Sequence, residues 1–180
     1  MITVISGTNR RKSRTFLIAK QIYELVRLRT VEHVELLNLE ELPLDFIHAG
    51  MYQTEGQNKG LRKLQDHYMI PASKFIFVFP EYNGSIPGIL KLFIDACSVR
   101  EYKSTFYSKK AALVGVATGK AGNLRGIDHL SASLAHVGTI VLPGILPISS
   151  INEISDEEGF IIDKTTIKSM QQLVDNFLEF

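Results

Sequence analysis

Between positions 10 and 15 the chain carries Arg10, Ser13, Arg14 and Thr15, with Thr8 just ahead of them. Hydroxyls and guanidinium groups at this density suit an oxyanion. Each hydroxyl donates one hydrogen bond, and Arg10 offers two parallel ones while offsetting charge. The segment 6–15 joins a strand-like run to a helix-like one, and a helix N-terminus adds free N–H groups and partial positive charge. Gly7 suits a tight turn. Neither Gly-x-x-x-x-Gly-Lys-Ser/Thr nor Gly-x-Gly-x-x-Gly occurs in the chain, so a terminal monophosphate fits better than a pyrophosphate. The plainer alternatives are a solvated basic turn with Ser13 as helix cap and a nucleic-acid patch of Arg10, Arg11, Lys12 and Arg14. The second lacks interleaved aromatic residues.

A second loop, Pro80-Glu81-Tyr82-Asn83-Gly84-Ser85, follows the dense apolar run 75–79 and precedes the helix-like run 88–98. A planar heteroaromatic ring needs flat contact area and backbone donors at its polar edge. Tyr82 can supply the area, the N–H groups of Asn83, Gly84 and Ser85 the donors, and Gly84 a close backbone approach. The alternative is a simple turn with Pro87 near the first helical position. A third loop, Thr118-Gly119-Lys120-Ala121-Gly122-Asn123, leaves another apolar run with two glycines, which suits the edge of a flat ligand. Its alternative is a connection capped by Asn123. Together the loops suggest a phosphorylated ring compound.

Strand-like and helix-like segments alternate around these loops. Residues 2–6, 31–39, 74–79, 111–118 and 139–142 read as strands. Residues 13–28, 58–69, 88–98, 124–137 and 163–178 read as helices; residues 40–57 read as irregular. Each parallel pairing needs a crossover helix, so alternation implies a parallel sheet. Right-handed crossovers then cover both faces, and the unbroken apolar run 75–79 fits a strand buried on both sides. The expected fold is α/β, a flavodoxin-like three-layer sandwich with a five-stranded parallel sheet in order 2-1-3-4-5 and helices on both faces. Ligands of such sheets lie outside the carboxyl ends of strands 1, 3 and 4, where the three loops fall. Residues 1–180 read as a single domain, since 180 residues suffice for one sizeable core and contain no linker or repeat.

With those loops in place, the chain resembles the NADPH-dependent FMN reductase family, which includes chromate-, quinone- and azo-dye-reducing enzymes. Gly7, Thr8, Arg10, Ser13 and Thr15 follow the family's Gly-Ser-x-Arg-x-x-Ser-x-Asn. Pro80 to Ser85, Pro87, Gly88, Leu90, Lys91 and Asp95 follow Pro-Glu-Tyr-Asn-x-Ser-x-Pro-Gly-x-Leu-Lys-Asn-x-x-Asp. Gly119, Gly122, Leu130, Leu134 and Gly138 follow the Gly-rich third segment and the helix after it. Thr8 and Thr15 depart from Ser and Asn but keep a hydrogen-bonding group. Leu92 stands in place of an Asn, Lys120 and Ala121 interrupt the glycines, and residues 48–60 match nothing usable.

The resemblance implies bound FMN, with NADPH or NADH as co-substrate and a small acceptor such as a quinone, azo compound, free flavin or metal oxyanion. It implies cofactor binding by Thr8, Arg10, Ser13, Arg14, Thr15, Pro80, Glu81, Tyr82, Asn83, Gly84, Ser85, Thr118, Gly119 and Gly122. It also implies a homodimer or homotetramer. Hydride transfer rests on orientation and distance, so no protein acid or base is assigned.

Two other readings compete with a reductase. One is a flavodoxin-like electron carrier, against which Arg10 and a net charge of +1 argue. The other is a non-enzymatic flavin-binding module. A nucleotide hydrolase lacks its phosphate loop. The near-neutral charge gives no broad bias toward nucleic acid or membrane surfaces. The chain opens without a basic leader, and no apolar run reaches the roughly 20 residues of a membrane helix; a cytoplasmic protein is expected. Cys97, the single cysteine, sits on an apolar helical stripe and reads as a buried structural thiol. No histidine has metal-ligand spacing, and His129 reads as a solvated helix residue.

Overall fold

The computed structural model describes residues 1–53 and 55–180. In chain order the elements are β1 (Ile2–Ser6), α1 (Arg14–Arg27), β2 (Val34–Asn38), α2 (Lys59–Leu64), β3 (Lys74–Pro80), α3 (Gly88–Cys97), α4 (Tyr102–Phe106), β4 (Lys110–Val116), α5 (Leu124–His136), β5 (Ile140–Val141), β6 (Leu146–Ile148), α6 (Ile151–Ile154) and α7 (Lys164–Glu179). The sheet runs β2-β1-β3-β4-β5, and every pairing is parallel. This is the expected flavodoxin-like order.

Strand β3 shows why the fold has three layers. Successive side chains of a strand point to opposite faces, and β3 is apolar on both. Phe75, Phe77 and Phe79 join Leu90 and Phe93 of α3 and Ile127, Leu130 and Leu134 of α5. Ile76 and Val78 join Ile18, Ile22 and Val26 of α1 and Met170, Val174 and Phe177 of α7. All of these side chains are essentially inaccessible. Cys97 belongs to the first cluster, and burial pushes its thiol pKa up. It is an inert core residue, as expected.

The structure departs from the sequence reading in five places. Strand β2 begins at Val34, because Val31 lies fully in solvent ahead of it. The helix expected over 58–69 is α for its first six residues and a π-helical turn over Gln65–Met69. There the buried Gln65 amide reaches Cys97 O and Thr105 Oγ1, both at 2.8 Å. The short helices α4 and α6 were not expected. Nor was β6, which pairs with β4 after β5 has ended. Over residues 40–57 the chain makes short 3-10 turns at Leu39–Glu41, Leu44–Phe46 and Ala49–Tyr52; at Thr54 the irregular reading lies outside the described residues.

Candidate functional site

The three loops meet. Because β1, β3 and β4 are adjacent and parallel, with Ser6 opposite Val78 and Pro80 opposite Val116, their carboxyl ends form one rim. A cleft of about 800 Å³ opens there, lined by residues 10–15, 80–82, 116–121 and 151–152. That volume lies within the roughly 300–1,000 Å³ of small-molecule sites.

One end of the cleft is built for an anion. Ser13 caps α1, its Oγ accepting from Thr15 N at 3.1 Å. The capping bond uses a lone pair, so the Ser13 O–H remains a donor. The first turn of α1 has no acidic residue to quench its partial positive charge. Arg10, Arg11, Lys12, Arg14 and Lys120 all line the cleft. Among the described residues none of these five makes an ion pair; the ion pairs sit elsewhere, as at Arg29–Asp175, Lys91–Asp95 and Arg100–Asp66. Unpaired cations of this density, beside free hydroxyls and a helix N-terminus, fit a phosphate dianion. Among the described residues Glu81 is the one acidic residue on the lining.

Thr8 stands behind this wall. It is fully buried; its Oγ1 shares a 2.8 Å hydrogen bond with Tyr82 Oη and accepts from Arg10 N at 3.2 Å. Thr8 therefore braces the first loop against the second. Gly7 serves close approach, because a Cβ there would lie 2.9 Å from Leu90 Cδ2 and Phe79 Cβ. Its φ is not in the left-handed region, so it is packing that requires a glycine here.

The second loop divides in two. Pro80, Glu81 and Tyr82 line the cleft. Asn83 and Gly84, with φ of 53° and 75°, form a tight reversal. Tyr82 N donates to Ser85 O at 3.0 Å and Ser85 N to Tyr82 O at 3.1 Å, so the Ser85 N–H expected to face a ring is already bonded. The reversal turns toward α5: Ser85 Oγ lies 2.7 Å from His129 Nδ1, and Arg125 Nη1 lies 3.7 Å from where a Cβ on Gly84 would be. Asn83, Gly84 and Ser85 thus lie off the lining, and His129 is tied to the loop rather than solvated alone.

In the third loop, Thr118 and Gly119 line the cleft as expected, together with Lys120 and Ala121. A Cβ on Gly119 would meet nothing within 4 Å, so this edge is open. Gly122 instead packs on β6: its φ is 59°, and a Cβ would fall 2.7 Å from Pro147 Cβ. Asn123 occupies the cap position of α5 without a capping bond; its Nδ2 donates to Phe79 O at 3.3 Å. The structure adds a fourth segment that the sequence reading missed. Ile148 O accepts from Ala117 N at 2.9 Å, while Ser150 N donates to Gly119 O and Ile151 N to Ala117 O, both at 3.2 Å. These bonds hold Ile151 and Asn152 on the cleft wall, where Asn152 Oδ1 accepts from Arg14 Nη1. Among the described residues no cluster of His, Cys, Asp and Glu could hold a metal ion, and no helix is long and apolar enough to cross a membrane.

Comparison with known proteins agrees with this geometry. The model of the NADPH-dependent FMN reductase family matches residues 1–153. An NADPH azoreductase of Bacillus sp. is 28% identical over 160 residues, 88% of this chain and 82% of its own. An NAD(P)H-dependent FMN reductase of Pseudomonas aeruginosa is 34% identical over 103 residues, 56% of this chain and 55% of its own. Among solved structures, FerB, a flavoenzyme NAD(P)H:(acceptor) oxidoreductase from Paracoccus denitrificans, superposes with a TM-score of 0.78 at 25% identity, covering 99% of this chain and 94% of that one. An archaeal flavodoxin shares the fold, with a TM-score of 0.61 at 13% identity over 99% of this chain and 97% of its own. The family match over residues 1–153 places this protein in the NADPH-dependent FMN reductase family of oxidoreductases.

Proposed function

We propose that residues 1–180 act as one FMN-binding domain and pass electrons from NADPH or NADH to a small acceptor such as a quinone or an azo compound. The observation that carries this is the set of five cleft cations without carboxylate partners beside the α1 N-terminus. Arg10, Ser13, Arg14 and Thr15 would hold the phosphate. Pro80, Glu81 and Tyr82 on one side, and Thr118 and Gly119 on the other, would flank the ring. Bound FMN supplies the hydride chemistry that couples a two-electron donor to the acceptor. The protein's part is orientation: Thr8 fixes Tyr82, the Asn83–Gly84 reversal fixes the loop that carries it, and the open edge at Gly119 leaves room for a second ligand. No side chain on the lining is asked to move a proton. The reading further includes a homodimer or homotetramer, from the family resemblance, and a cytoplasmic location, from the sequence; gel filtration and cell fractionation test them.

The deciding experiment is a titration of purified protein with FMN, followed by flavin fluorescence, and then NADPH oxidation with a quinone or azo dye. Saturable binding with turnover is the expected result. Absence of binding overturns the site. Binding with stoichiometric reduction and no turnover favours the electron carrier.

A further inference from the structure

We infer that Asn152 is a phosphate-binding residue of the FMN site, contributed by a fourth segment outside the three loops that carry the family motifs. This rests on the reading of the cleft as an FMN site. The chain reaches this position by an indirect route. Strand β5 pairs with β4 only at Lys110 and Ala111. The chain then leaves the sheet, and β6 rejoins it at Val114 to Val116. After β6 the backbone bonds to Ala117 and Gly119 set Ile151 and Asn152 on the wall facing the first loop.

The chemistry of the Arg14 contact fixes the amide. A guanidinium group has donors and no acceptor, so Asn152 must present its oxygen to Arg14, as the structure shows. The two N–H donors of Asn152 therefore occupy the other arm of the amide. Among the described residues no hydrogen bond from Asn152 Nδ2 is formed, and the side chain lies at the surface of the cleft. Arg14 is the first residue of α1, directly after the cap Ser13. Held against Arg14 on the cleft wall, Asn152 keeps these donors beside the turn where an oxyanion gains from the helix, Arg10 and Ser13. Asn152 thus acts in two ways: it holds Arg14 in place and donates to the same anion.

Asn152→Asp keeps the Arg14 contact and removes the donors, and repeating the titration at high salt, which screens the added charge, isolates the loss due to the donors. The aspartate still accepts from Arg14, and as an ion pair does so more strongly, but it has no donors and adds negative charge beside the phosphate. FMN and riboflavin, which lacks the phosphate, are each titrated into wild-type and variant protein by flavin fluorescence. A hydrogen bond to a charged group is worth enough that FMN affinity is expected to fall roughly tenfold or more, with riboflavin affinity unchanged. Asn152→Ala, which removes the Arg14 contact as well, is expected to lose FMN affinity in the same phosphate-dependent way. Unchanged or tighter FMN binding in Asn152→Asp overturns the inference and leaves Asn152 a brace for Arg14. Equal losses for both flavins also overturn it, placing the contact on the ring or its linker. Failure of the wild-type protein to bind FMN refutes the site itself, and is seen before any variant is made. Unchanged circular dichroism of both variants shows that the losses are local.

Discussion

The two ends of the β-sheet are both rich in cations and use them in opposite ways. At the amino edge, Lys74 donates to Phe177 O at 3.1 Å and Leu178 O at 2.8 Å, and Lys110 donates to Phe180 O, closing the end of α7. Lys109 donates to Met69 O at 2.6 Å and Ile70 O at 2.8 Å, at the end of the π-helical turn. It also lies over the Phe75 ring. These ammonium groups are bonded to backbone carbonyls, and cations at helix C-termini are favoured by the local dipole. At the carboxyl edge, Arg10, Arg11, Lys12 and Lys120 stand in the cleft without acidic partners among the described residues, and Arg14 is held by a neutral amide. Charge alone therefore does not mark the site. Charge without an internal partner does, because it leaves interaction energy available for a ligand.

This contrast breaks if removing a rim cation harms folding, or if removing an amino-edge cation harms cofactor binding. The largest expected effect is on Arg10→Ala: FMN affinity falls about 10- to 100-fold, since hydrogen bonds to charged groups contribute about 1.5–3 kcal/mol. Urea unfolding of the flavin-free protein stays within about 0.5 kcal/mol of wild type, as for exposed substitutions. Lys109→Gln is next. It leaves buried carbonyls short of a donor and lowers unfolding free energy by about 1–3 kcal/mol, with FMN affinity unchanged.

The same variant sharpens the comparison through pH. Burial holds the Lys109 ammonium down to about 8, against an ordinary 10.5. Between those values the unfolded chain binds the extra proton, so this group makes stability rise as pH climbs from about 8 toward 10.5. The wild-type stability–pH curve is expected to be steeper there than that of Lys109→Gln; equal slopes would refute the assignment. The smallest effect is on Tyr82→Phe, which removes the 2.8 Å bond to Thr8. It is expected to weaken FMN binding a few-fold, in line with about 1 kcal/mol for one neutral hydrogen bond. Fluorescence titration reads it.

The parts of the fold legible in the sequence were those whose neighbours are dictated by strong local patterns. Strands β1, β3 and β4 are short runs apolar on both faces, and the helices between them carry apolar stripes at helical spacing. Strand β6 is different. Leu146-Pro147-Ile148 is three residues with a proline at its centre, and proline is confined to sheet edges. Its extended form comes from the free edge that β4 offers once β5 ends, which no local pattern records. The π-helical turn at Gln65–Met69 was hidden for a similar reason, since periodicity over five residues does not separate it from an α-helix.

At the site, the loops and most of the lining followed from residue type and spacing. Direction did not: the Asn83–Gly84 reversal sends Ser85 toward His129, a partner on α5. Asn152 lies 138 residues along the chain from Arg14 and outside the three loops, so only the three-dimensional path brings them together. Lys120 stood out only as a break in a glycine run, and the structure gives it a place in the cleft.

The split between β5 and β6 has a mechanical consequence. The outer wall of the cleft follows β6, whose partners in the sheet are the last three residues of β4, Val114, Gly115 and Val116. Gly115 has Gly122 O, Ile127 and Asn123 crowded against the point where a side chain would begin, the carbonyl at only 2.5 Å. A methyl group introduced there would push on the third loop and on Ile127 of α5 together. Gly115 is thus the point at which the interior of the sheet bears directly on the loop that forms one lip of the groove.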